Sequence, residues 1–74
     1  MVLAQCAPKT RARLLNLRVA PQFMLRLSEL GLRPGAEFSI VSKAAFGGMI
    51  VNVGGTRVAV DRGSARLLDV EVLA

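Results

Sequence analysis

The sequence predicts a small, mainly β domain: a strongly bent barrel of about five short strands with one helix inserted after the first. Three observations carry this. Period-two alternation of apolar and polar residues recurs in short stretches along the chain, whereas only Gln22 to Leu30 shows helical spacing. Turn residues, above all Pro34-Gly35 and Gly54-Gly55, stand between those stretches. With 74 residues the chain has room for one domain only, and closing the sheet would remove the edges that short strands leave open.

Residues 1–9 read as a lead-in, broken off by Pro8-Lys9, and residues 10–74 as the single domain. Thr10 to Leu17 is the first strand, with Ala12 and Leu14 inward and Arg11 and Arg13 outward. The run Leu14-Leu15-Asn16-Leu17 breaks the alternation, so a bulge or the strand end falls there. Pro21 suits the first turn of a helix. Phe23, Leu27 and Leu30 then form an inward stripe, with Met24 beside it. At roughly 100° per residue, Leu25 projects instead among Gln22, Ser28 and Glu29, and is expected to be exposed.

Gly31 can take the left-handed conformation that stops a helix, after which Leu32 folds back on Leu27. Pro34 and Gly35 suit a type II turn. Ala36, Phe38 and Ile40 alternate with Glu37 and Ser39 as a half-buried strand. A small-residue loop, Ala44 to Gly48, carries Phe46 with little beside it to pack on. Met49 to Asp61 is a hairpin turning at Gly54-Gly55. Its register pairs Val53 with Thr56, Val51 with Val58 and Met49 with Val60. Asp61 can cap a single helical turn through Ser64 and Ala65. Leu68, Val70 and Val72 alternate in a last strand.

Hydrophobic residues make up 53% of the chain, more than so small a core absorbs. The surplus must surface, and exposed apolar patches mark partner sites, so an oligomer or a docking module is expected. Ten Lys and Arg stand against five Asp and Glu. The positive excess is scattered, with Lys9 to Arg13 its one cluster, which reads as a solvated surface rather than a nucleic-acid footprint. The single cysteine, Cys6, cannot form an internal disulfide. With no signal-peptide pattern and no run of about eighteen apolar residues, the cytoplasm is the expected location.

Several chemistries lack their residues. There is no histidine, the usual general base and metal ligand. Asp69 and Glu71 are two apart on one strand face, and a solvated outer face explains them better than a metal site. Asp61 and Ser64 have no partner that would activate the serine. Neither glycine pair is followed by the lysine and helix of a phosphate loop. Cys6 reads as a small apolar residue in a loose N-terminus. With no Trp or Tyr and only three Phe, neither a proline-peptide groove nor a base-stacking platform can be built.

The ordered set Arg26-Leu27, Glu29-Leu30-Gly31-Leu32 and Pro34-Gly35 resembles the signature of the FeoA family, the small ferrous iron transport protein A. The closing pattern of Val58, Ala59 and Val60, then Ala65, then Leu68 and Val70 is similar too. The likeness spans about residues 10–72. It departs at the entry to the first strand, where many relatives have a Pro-Gly turn and this chain has Pro8-Lys9-Thr10.

The resemblance implies an SH3-like barrel, and the structural signature comprises its Leu27, Leu30, Gly31, Pro34, Gly35 and Ala65 together with the hairpin turn at Gly54 and Gly55. It implies a binding protein rather than an enzyme, with no cofactor of its own and ferrous iron met only through a FeoB-type membrane transporter. That transporter's cytosolic part is the expected partner, alongside possible self-association. The membrane is reached only through the partner, and nucleic acid is not an expected ligand. Candidate contacts are Met24, Leu25, Phe46 and Met49, although Met49 shares the inward hairpin face. The alternative reading is a basic barrel that binds nucleic acid, or a metal-responsive regulatory module.

Overall fold

Pro21 and Gly31 delimit the helix that the spacing predicts. In the computed structural model, which describes residues 1–73, helix α1 runs Pro21–Glu29. Gly31 holds φ at +102°. The Leu32 N–H donates to the Leu27 carbonyl at 2.8 Å and the Gly31 N–H to Ser28 at 3.0 Å. These are the paired bonds of a glycine-terminated helix, and Leu27 and Leu32 are both buried beside it. The Pro34-Gly35 turn follows at once, closed by the Ala36 N–H on the Arg33 carbonyl at 2.9 Å. Gly35 also donates to the Leu14 carbonyl at 2.7 Å, so the turn is already bonded to the first strand.

The strands are β1 Arg11–Leu17, β2 Glu37–Lys43, β3 Met49–Val53, β4 Thr56–Val60 and β5 Leu68–Leu73. They form one antiparallel sheet in the order β4-β3-β2-β1-β5. The hairpin register is the one expected: Val53 faces Thr56, Val51 faces Val58 and Met49 faces Val60. Gly54 and Gly55 hold φ at +58° and +83°, as a two-residue turn of matching twist requires. The irregularity in β1 lies between Leu14 and Asn16, and it turns Leu15 out to solvent. A second lies between Ile40 and Ser42, where Val41 follows Ile40 and interrupts the alternation. A one-turn helix, α2 (Arg62–Ala65), joins β4 to β5. It is capped by Asp61, whose carboxylate accepts from the Ser64 N–H at 3.0 Å and the Ser64 hydroxyl at 2.7 Å.

Residues 1–9 are more than a lead-in. Leu3 is fully buried and Cys6 nearly so, both in the main core cluster. A short 3-10 turn at Leu3–Gln5 places them. The Val70 N–H donates to the Met1 carbonyl at 2.8 Å, and Val2 bridges to Asp69. Nine residues without periodicity gave no sign of this. The same contacts explain why the sheet does not close. The outer edge of β5, where β4 would have to pair, is taken by residues 1–2, and α2 spans the gap.

Candidate docking surface

Helix α1 rests on the body by one side chain. Leu27 is its only buried residue. Phe23 and Leu30, expected inward with Leu27, are 50% and 43% exposed. The reason lies in the neighbouring positions. Arg26 projects roughly 40° from Leu30 around the helix, so that side cannot sink into the core without drowning a guanidinium. The helix therefore turns Leu27 inward and leaves Phe23 and Leu30 at the rim. This signal was available in the sequence; the apolar stripe alone concealed it.

The expected contacts divide accordingly. Leu25 is 62% exposed and Phe46 is 88% exposed, as their positions implied, and Met24 is partly exposed. Met49 is a correction: at 2% exposure it is core, held by its pairing with Val60 inside the hairpin, and it cannot meet a partner with its side chain. The structure adds Phe23, Leu30 and Leu67, all substantially exposed. Phe23 and Leu67 line one groove of about 520 Å³ with Arg18 and Val19. Phe23 and Leu30 line a smaller one, about 160 Å³, against Ala59 and Val60 of β4. A third groove, of 450 Å³, crosses the ends of β2, β3 and β4 between Lys43, Ile50 and Ala59.

The carboxylates are distributed unevenly. Glu37 pairs with Arg11 at 3.3 Å and Arg13 at 3.1 Å, and Glu71 pairs with Arg13 at 2.9 Å. Asp69 pairs with Arg18 at 3.0 Å. The Arg18 hydrogen bond holds the Asp69 carboxyl below the usual carboxylate range, and the bonds from Ser64 do the same for Asp61. Asp69 and Glu71 are thus both occupied by arginines on the outer face. Arg26, Arg57, Arg62 and Arg66 have no ion-pair partner among the described residues. Burial pushes the Cys6 thiol up, with Lys43 and the N-terminal amine opposing. Among the described residues no three carboxylate or thiol side chains gather as a metal site would need, and no helix is long and apolar enough to cross a membrane.

The FeoA domain model matches residues 1–72, so the likeness reaches back through the buried N-terminal segment. The chain is similar to the FeoA protein of Chlorobium tepidum, with 29% identity and a TM-score of 0.94 over all of this chain and 71% of that one. It is also similar to a zinc complex of FeoA from Stenotrophomonas maltophilia, described as a procaryotic SH3 domain protein. There the identity is 32% and the TM-score 0.77, over 96% of this chain and 89% of that one. A manganese-dependent transcriptional repressor shares the fold over 99% of this chain and 36% of its own length, with 20% identity and a TM-score of 0.85. No curated protein matches the chain.

Proposed function

The chain belongs to the FeoA family, implicated in ferrous iron transport, and from that premise we propose that it is a cytosolic accessory subunit docking on a FeoB-type transporter. The contact is apolar. It centres on α1, where Leu25 stands exposed on the outer side and Met24, Phe23 and Leu30 are exposed around the rest of the helix, and extends to the Phe46 loop. The observation that carries the reading is Leu25, a leucine 62% exposed on a nine-residue helix that needs only Leu27 to hold it down. Covering the exposed part of this leucine contributes about 1–2 kcal/mol, the level at which a single interface residue matters to binding.

The role is binding and not catalysis. The iron is the transporter's cargo, and this chain carries no cofactor of its own. The test is capture of the transporter's cytosolic domain by the wild-type protein and by Leu25→Glu. Leu25→Glu should fold normally and lose capture. Undiminished capture by a folded Leu25→Glu removes Leu25 from the contact.

A further inference from the structure

The two edges of the sheet are finished differently. The outer edge of β5 is covered by the chain's own start, through Val2 against Asp69 and the Val70 N–H on the Met1 carbonyl. The outer edge of β4 has no such cover. The two-residue turn makes Val53 and Thr56 a hydrogen-bonded pair, so Val51–Val58 and Met49–Val60 are hydrogen-bonded as well. Arg57 and Ala59 lie between these pairs and direct their N–H and C=O groups away from β3. Neither residue's backbone has a partner elsewhere among the described residues, and both residues are exposed. No proline or bulge blunts the strand.

Two grooves meet at this edge, both bordered by Ala59 and Val60. One runs over Ile50 toward Lys43, and the other is walled by Phe23 and Leu30. A strand laid along β4 would send alternate side chains toward each. The charge around it is mostly positive. Arg57 stands on the strand, Lys43 and Arg26 line the two grooves, and Arg62 follows in α2. Asp61, which borders both grooves, is the one carboxylate among their lining residues, and its oxygens accept from Ser64 in the cap.

We propose that β4 takes an extended acidic segment of a partner protein as a sixth strand, with apolar side chains in the two grooves and carboxylates on Arg57, Arg26 and Arg62. This rests on the docking role above and specifies its mode and the partner's chemistry. A second copy of the chain fits the edge poorly, because each copy carries a net charge of +5 and two such surfaces repel.

The probe is a capped peptide repeating Val-Val-Glu-Glu, so that both faces of the strand carry valine and glutamate, titrated into the isotope-labelled full chain with amide chemical shifts and hydrogen exchange read residue by residue. The Arg57 and Ala59 amides should shift and gain protection. A valine–lysine peptide should have no effect, and Arg57→Glu should weaken the glutamate peptide by about tenfold. N-methylating the peptide on the edge that faces β4 should abolish binding while leaving the protein untouched, which avoids reliance on a variant that misfolds. Shifts confined to α1, equal binding of both peptides, tight binding of the N-methylated peptide, or a dimer formed through β4 would each overturn the proposal. If the glutamate peptide fails while capture of the transporter domain still depends on Leu25, the edge assignment falls and the docking function stands.

Discussion

The backbone N–H of Lys9 donates to the carbonyl of Ile40 across 2.7 Å while Lys9 itself holds φ at +70°. It is the only non-glycine residue with positive φ among those described. The turn it occupies runs from Ala7 to Thr10 and closes with the Thr10 N–H on the Ala7 carbonyl at 3.3 Å. Pro8 precedes Lys9, so the lysine sits where a Pro-Gly turn would have its glycine. The departure noted in the sequence is therefore one of residue type and not of shape.

That conformation costs an L-residue about 1–2 kcal/mol, and glycine would forfeit about 0.5–1 kcal/mol through its freer unfolded chain. Lys9→Gly should stabilise the domain by a net amount of about 0.5–1 kcal/mol. Urea unfolding would show a higher midpoint at unchanged slope. Lys9→Ala, which keeps the strained backbone, should show no such gain. Equal midpoints for Lys9→Gly and the wild type would mean that the bond to Ile40 does not hold Lys9 in the left-handed region.

Phe46 and Met49 make a second contrast, three residues apart. Phe46 is nearly all exposed and Met49 nearly all buried. Phe46→Ala should shift stability by no more than about 0.5 kcal/mol. Met49→Ala should cost about 2–5 kcal/mol by leaving a cavity inside the hairpin. Thermal unfolding of the two variants checks this, and a large loss from Phe46→Ala would mean that the ring packs somewhere on the body.

What the sequence revealed, it revealed where one residue type has one physical use. Gly54-Gly55 set the hairpin register because a two-residue turn admits one pairing. Gly31 stopped α1, Pro34-Gly35 turned the chain, and Leu25 stood out because no apolar neighbour shares its side of the helix. The partly exposed Phe23 and Leu30 were missed because periodicity gives the direction of a stripe but not how deep it sinks; Arg26 decided that. The places of Leu3 and Cys6 were hidden for another reason. Their burial depends on contacts with β5, some sixty-five residues away in sequence, which no local pattern records. The open β4 edge follows from the same long-range event.

The N-terminal packing makes Cys6 a reporter. It is 2% exposed, and burial raises its thiol pKa, so little of the reactive thiolate forms near neutral pH. An aromatic disulfide reagent should label it slowly in the native protein and at the rate of a free thiol in denaturant. Leu3→Ala should accelerate native labelling well before the rest of the domain unfolds, since it loosens the segment that covers Cys6. Fast labelling of the wild type would return residues 1–9 to the status of a loose tail.

Asp61 gives the pH dependence. Its folded pKa lies below the ordinary aspartate value of about 3.9, because the ionised carboxylate accepts from the Ser64 hydroxyl and N–H. A carboxyl depressed on folding stabilises the native state fully above its unfolded pKa. That stabilisation is lost as pH falls through the unfolded value and on toward the lower folded one. The loss should thus begin below about pH 5 and deepen toward pH 3. Asp61→Asn retains a capping oxygen but cannot ionise, so its stability should trail the wild type at neutral pH and converge with it in acid. Asp69, depressed by Arg18, contributes an acid-side slope of the same sign. The difference between the two stability–pH curves, and not the slope of either, isolates the cap. Ser64→Ala should reduce that difference, because it removes the hydroxyl that is the largest cause of the shift. Parallel curves for the wild type and Asp61→Asn from neutral pH into acid would show that the cap is not what holds α2 between β4 and β5.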